Sequence, residues 1–234
     1  MAEDTRLYAR TCGAIYVLIF LSAIISVGFA GSLVVENNAA ATSAKILASE
    51  QLWRSGYSTE IFTMLCDIVV AWLLYLLLAP VQRNLALLAA VFRVVYVAGY
   101  IPAVLANVMV LPLLHQQLQQ AAMLAVRAHD LGWAISLIFF GANLALVGYL
   151  IGRQPIGVLW LAVALEVSGA CYIINSFTLF IAPPLHALIY PWVLLPPFVG
   201  ELGLAFWLLF TRRFNGEITP APRAYAYTRG APPL

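Results

Sequence analysis

The stretch TEIFTMLCDIVVAWLLYLLLAP, Thr59 to Pro80, decides the class of this chain. From Ile68 to Ala79 it carries no charge, and the whole apolar run can cross a hydrocarbon layer of roughly 30 Å at about 1.5 Å per helical residue. Pro80 lacks the N–H that would continue the helical ladder, and the "PVQRN" that follows it reads as a tight turn. Glu60 and Asp67 lie seven residues apart, on one face of a helix and two turns from each other. An ionised side chain at the centre of a lone membrane helix costs at least about 2.5 to 3.5 kcal/mol, so each acid in such a segment needs a partner.

The rest of the chain has the same character. Of 234 residues, 63% are hydrophobic and 9% charged, and the mean hydropathy is +0.93. A soluble domain carries about 25% charged residues, so a soluble fold of this chain would lack the polar groups to cover its surface. The reading is an integral membrane protein with the lipid bilayer as its first partner. The net charge of +2 is too small to indicate nucleic acid. Cys12, Cys66 and Cys171 are scattered within apolar runs and form neither a disulfide framework nor a metal pattern.

Working outward from Thr59, the apolar runs predict an all-α bundle of six transmembrane helices. They cover about Cys12–Val35, Tyr57–Ala79, Leu85–Leu114, Leu131–Ile151, Gly157–Ile181 and Tyr190–Phe210. The first run is read as a retained span and not a signal peptide, because "MAEDTR" is no clean basic leader. Pro102 and Pro112 are candidate kinks in the third span. Between the first two spans, Ala-rich residues predict a short amphipathic helix with Asn38 as its N-cap and Gly56 as its stop. Its Ile46, Leu47 and Trp53 are expected to rest on the bilayer interface. Six spans place both termini on one side, with Arg6, Arg10, Arg83, Arg153, Arg212, Arg213, Arg223 and Arg229; Lys45, Arg54 and Arg127 fall on the other. The positive-inside rule makes that first side the cytoplasm, in a cell membrane. Residues 1–10 are then a cytoplasmic N-terminus, 11–211 the membrane domain, and 212–234 a disordered cytoplasmic tail.

Counting from the span ends places Asp67, Arg93, Glu166 and Glu201, from four helices, at similar depth. An Asp67–Arg93 salt bridge is expected, since the two lie on consecutive antiparallel spans. Glu166 and Glu201 have no basic residue at their depth, so one is expected to keep its proton or a bound cation to balance them. Tyr96, Tyr100 and Asn107 follow Arg93 at helical spacing, and Tyr172 and Asn175 follow Ser168; Tyr96, Tyr172 and Asn175 are read into the midplane cluster. Asn107, Asn143 and Ser168 are read as interhelical hydrogen bonds.

A second group, Glu60, His129 and Asp130, is expected at the outer face. Three imidazoles with a carboxylate would suit zinc, and His115, His129 and His186 would be its ligands. Their spacing is no metal motif, and Asp130 also suits a helix start, so no metal is firmly expected. No phosphate loop, catalytic serine signature or zinc-protease motif is present, and nothing in the sequence names a cofactor.

The stretches "ASEQLWRSGYSTEIFTMLCDIVVAWLLYLLLAPVQRNLALLAAVFRVV", "HDLGWAISLIFFGANLALVGYLI" and "PPFVGELGLAFWLL" resemble the bacterial six-span membrane proteins grouped as domain of unknown function 4386. Asp67, Arg93, His129, Asp130, Tyr172 and the Gly200-Glu201 pair match the polar positions of that family. The resemblance implies a six-span membrane protein and no particular activity.

The leading functional reading is transport-like: a small or lipophilic ligand, a cation or a proton handled by the midplane acids. A carrier with six spans would need a homodimer. The alternative is an intramembrane enzyme acting on a lipid or isoprenoid-like substrate, through a carboxylic acid that keeps its proton or an outer-face metal. A structural or regulatory membrane partner is the third reading. A path open from both sides would mark a transporter, a closed pocket an enzyme, and fully paired acids without a cavity a structural part.

Overall fold

A computed structural model describes residues 2–154 and 158–211. The fold is all-α, with five helices long and apolar enough to cross a membrane. In order they are α1 (Ala2–Ala23), α2 (Ala39–Ala48), α3 (Glu50–His115), α4 (Gln119–Gly152), α5 (Leu159–Ile181), α6 (Pro183–Ile189) and α7 (Leu195–Phe210). A π-helical stretch, Ile24–Ala30, and a 3₁₀ turn, Gly31–Leu33, extend α1. The disordered tail expected from 212 lies outside the described residues, as does part of the turn after Gly152.

Helix α3 needs separate treatment. Its 66 residues, if straight, would reach about 100 Å, some three times the thickness of a bilayer core. One residue inside it, Gln82, has non-helical backbone angles (φ −157°, ψ 99°), two residues after Pro80. There the chain folds back, so that residues 50–81 and 83–115 form two antiparallel arms. Contacts along the arms require this: Arg93 bonds Asp67 from 26 residues away, Trp53 Nε1 donates to the Asn107 carbonyl, and His115 pairs with Glu50 from 65 residues away. Pro102 and Pro112 lie within the second arm without a second break of this kind.

The connector before α3 differs from its sequence reading in two ways. Asn38 does cap α2, its side chain accepting from the Ala41 N–H. Gly56, however, stops nothing: the break falls at Ser49, and Gly56 lies inside α3, where an added Cβ would stand 2.5 Å from the Ala30 Cβ. Its missing side chain is what lets the end of the π-helical stretch pack on α3. The expected interfacial residues also divide. Leu47 is 41% exposed, but Ile46 and Trp53 are buried in a small apolar cluster with Val110, Leu111, Leu114 and Val126. Asn38→Ala should therefore cost about 1 kcal/mol through the lost cap, read as a lowered Tm, with the bundle otherwise intact.

The main core joins α1, both arms of α3, α4, α5 and α7. Glycines set its closest approaches. A Cβ on Gly13 would stand 2.8 Å from the Ala205 carbonyl of α7, and one on Gly148 2.7 Å from the Ala162 carbonyl of α5. Small residues let helices approach where lipid offers no hydrophobic drive for association. Leu74, Leu77, Leu78, Leu144, Leu150, Leu165, Leu204 and Leu208 are at most 4% exposed and fill the half of the bundle nearest the Gln82 fold. That end is the hinge end; the end bearing α2 is the connector end.

Candidate functional site

The site is built around Arg93, which is 1% exposed on the second arm of α3. Its Nε donates to Asp67 Oδ1 at 2.9 Å, and Nη2 donates to the same oxygen. Nη1 donates to the Tyr16 hydroxyl of α1 at 2.6 Å and to Asn143 Oδ1 of α4 at 3.5 Å. The guanidinium also lies 5.0 Å from the ring centroids of both Tyr16 and Phe140. Asn143 is fixed in turn by donating to the Ala89 carbonyl at 2.8 Å. Removing two charges from water is costly, and these shared hydrogen bonds are what make the buried pair tolerable.

Asp67 is 2% exposed, and both Arg93 bonds go to Oδ1. Among the described residues its second oxygen takes no hydrogen bond, and Asp67 lines a cavity of about 550 Å³. The cavity is a cup. Arg93, Asp67, Tyr96, Tyr172 and Glu201 form its floor, and Ile19, Ala23, Ile24, Val27, Trp133 and Phe198 stand in its walls towards the connector end. The π-helical stretch supplies part of one wall, a feature often found at functional sites. Beneath the floor lies the leucine-filled half of the core.

Glu201 of α7 is 8% exposed and reaches the floor. The Tyr172 hydroxyl donates to its Oε1 at 2.7 Å, and among the described residues no basic side chain forms an ion pair with it. Higher in the cup, Glu60 takes a hydrogen bond from Asn107 Nδ2 at 3.4 Å and faces His129 Nε2 at 3.3 Å. His129 Nδ1 lies 3.1 Å from Asp130, whose side chain is 64% exposed. Imidazole thus links an exposed carboxylate to one that lines the cup. The rings of His129, Tyr100, Tyr96, Phe140 and Tyr172 follow one another with successive centroids 4.8 to 6.0 Å apart, an aromatic wall from connector end to floor.

Residues 11–211 match a family described as Domain of unknown function (DUF4386). This chain belongs to that family. An uncharacterized protein of Archaeoglobus fulgidus is similar, 30% identical over 159 residues that make up 68% of this chain and 85% of the relative. The likeness is therefore not confined to bacterial proteins. No solved structure matches the chain.

In this DUF4386 protein the sequence-derived residues do not all meet. Asp67, Arg93, Tyr96, Tyr172 and Glu201 share the floor. Glu166 does not: it is exposed on the outward side of α5, while Leu165, Ser168 and Gly169 form the inward side. It does not take its expected place in the midplane cluster, because depth along a helix says nothing of which way the side chain faces. Asn175 is 4% exposed but is not part of the cup, and its Oδ1 has no hydrogen-bond partner. The three histidines are also apart. His115 is half exposed and pairs with Glu50 at 2.7 Å, His186 stacks on Tyr190, and only His129 reaches the Glu60 group. Among the described residues no set of three His, Cys, Asp or Glu could hold a metal.

Sequence reasoning missed Tyr16. It ends the Ala9, Cys12, Tyr16 stripe of α1, all 0% exposed. Inward helical spacing relative to Arg10 was the available signal, but an apolar run gave no reason to connect it with Arg93.

Proposed function

We propose that this DUF4386 protein binds a small lipophilic ligand within the membrane, its polar end against the carboxylates of the floor. The observation that carries this reading is a cup that ends on Asp67, Arg93 and Glu201 with an apolar plug behind them. A purely structural part would need no such volume: 550 Å³ lies within the range of small-molecule sites. The two arms of α3 cross the membrane separately, giving six crossings with both termini in the cytoplasm. The cup then opens towards the outside of a cell membrane. Its walls come from one chain, so a second copy is not needed to complete it. Transport would require the plug to open. Enzymatic use of the same cup is favoured by one observation, His129 between Glu60 and Asp130 at 3.3 and 3.1 Å, an arrangement suited to proton transfer.

The test is thiol access in nanodiscs, in a Cys66→Ala, Cys171→Ala background. Ser26 lines the cup and Cys12 lies buried near Tyr16, below the floor. An impermeant maleimide should label S26C at least ~100-fold faster than Cys12, a ratio set by burial of the thiol. An arylalkyl probe that fills the cup should slow the S26C reaction. Comparable labelling of Cys12 would replace the one-sided cup with a through path, and an unreactive S26C would remove the opening altogether.

A further inference from the structure

The charges of the floor point to a ligand class. With both acids ionised, Asp67 and Glu201 bring two negative charges to the floor against the one positive charge of Arg93. The Arg93 guanidinium is engaged by Asp67 Oδ1, the Tyr16 hydroxyl and Asn143, with aromatic rings at 5.0 Å. One net negative charge is left. Among the described residues two carboxylate oxygens take no hydrogen bond, Asp67 Oδ2 and Glu201 Oε2, on residues that are 2% and 8% exposed and line the cup. Tyr96, Phe140 and Tyr172 line the same space. Both oxygens are open to a donor that enters the cup, and aromatic faces attract cations most where water is excluded.

Resting on the cup reading, we propose that the ligand is a lipophilic monocation, an amine whose N–H groups meet Asp67 Oδ2 and Glu201 Oε2 while its apolar body lies along Ile19, Ala23, Ile24 and Phe198. A single positive charge neutralises the floor, and N–H donors satisfy both open oxygens, which a hydroxyl or a halocarbon does not. An anionic group meets repulsion from both acids, and four of the five Arg93 N–H groups are already given to Asp67, Tyr16 and Asn143. Aromatic side chains and a carboxylate at one end, with aliphatic walls leading to it, match an amine on an alkyl or arylalkyl body. A zwitterionic phospholipid would bring a phosphate next to the acids, which favours a simple amine.

The experiment uses the full chain in nanodiscs and three probes with one body: phenylbutylamine, phenylbutanol and phenylbutyrate. Trp133 lines the cup, and the difference between the protein and Trp133→Phe isolates its fluorescence from the other five of the 6 tryptophans. The amine should bind about thirtyfold more tightly than the alcohol, the ratio of one desolvated cation–aromatic contact, and the butyrate weakest. Glu201→Gln, which leaves an acceptor for Tyr172, should bring amine and alcohol within about threefold of each other. Alcohol binding equal to amine binding in the unsubstituted protein, or tighter binding of the butyrate, overturns the monocation while leaving the cup intact. No response to any probe overturns the cup reading itself. The titration is repeated with phosphatidylethanolamine added to phosphatidylglycerol discs: weakened amine binding assigns the site to a lipid amine, and unchanged binding to a free one. Should Glu201→Gln not fold, the probe ratio in the unsubstituted protein decides alone.

Discussion

Arg93→Met should destabilise the bundle by about 3–5 kcal/mol, the cost of leaving a buried carboxylate without its countercharge. On unfolding in detergent this is a fall in Tm of the order of 10 °C for a chain of this size. Asp67→Asn should cost a comparable amount, because Arg93 would then keep its charge at 1% exposure with only the Tyr16 and Asn143 side chains and an amide as partners. The double variant should recover a large part of the loss, since two neutral side chains no longer need each other. Arg93→Lys should fail almost as badly as Arg93→Met. One ammonium cannot reach Asp67, Tyr16 and Asn143 from the three directions that the planar guanidinium serves. If the two single losses simply add in the double variant, the pair is not the unit that fixes α1, α3 and α4 to one another.

That unit also shows what was legible in the sequence. Uncharged runs of about twenty residues and the break at Pro80 mark apolar helices and a turn, because in lipid the backbone must satisfy its own hydrogen bonds. The Asp67–Arg93 pair follows from the same reasoning: consecutive antiparallel segments bring residues at comparable distances from the turn into reach of each other, and the long Arg93 side chain spans the remaining offset. What failed was rotation about the helix axis. Glu166 and Glu201 have similar depth, yet Glu201 faces the floor and Glu166 faces outward. In a soluble helix an apolar stripe reveals the inward side, but α5 is apolar all round, and that signal disappears. The small residues were the better guide. On α5, Gly169 faces Gly141 of α4 and Ser168 faces Glu201's neighbour Gly200, where Ser168 Oγ lies so close to the Cβ position of Gly200 that α7 could not pack there with a larger residue.

In the sequence the outer group is read from where the apolar runs begin, and those points are not helix ends. Helix α3 starts at Glu50 and α4 at Gln119, so Glu60, His129 and Asp130 lie about three turns inside, and Asp130 starts no helix. The three meet because the two helices pack side by side. His115 and His186 share that end of the bundle but not that corner of it; their partners are Glu50 and Tyr190. A composition that offers three histidines does not say which of six segment ends adjoin. The cup itself had no sequence signature at all. It exists because the π-helical stretch after Ala23 carries α1 along the wall, and nothing in "IISVGFA" distinguishes a π turn from an α turn.

Gly141→Ala should destabilise α4 against α5 by about 1–3 kcal/mol, the range for forcing a methyl into a packed contact. The new Cβ would stand 2.6 Å from the Gly169 carbonyl oxygen, 2.9 Å from Ile173 Cγ1 and 3.3 Å from Tyr172 Cβ. A carbonyl in a helix cannot yield alone, so α5 must move as a body, and Tyr172 moves with it. Tyr172 holds Glu201 at 2.7 Å on the floor, so the same substitution should weaken amine binding in the Trp133 assay as well as lower Tm. Gly141→Leu should do both more severely. Gly28→Ala is the matched control. It lies in the wall of the cup, but its added Cβ would meet only Ile24 Cγ2 at 4.0 Å, and removing a helical glycine should stabilise by about 0.5–1 kcal/mol. A Gly141→Ala protein with unchanged Tm and unchanged probe affinity would mean that α5 yields freely, and that the floor is not held at the spacing of the α4–α5 contact. A loss of affinity with unchanged Tm would mean that Tyr172 alone shifts, which separates the geometry of the floor from the stability of the bundle beneath it.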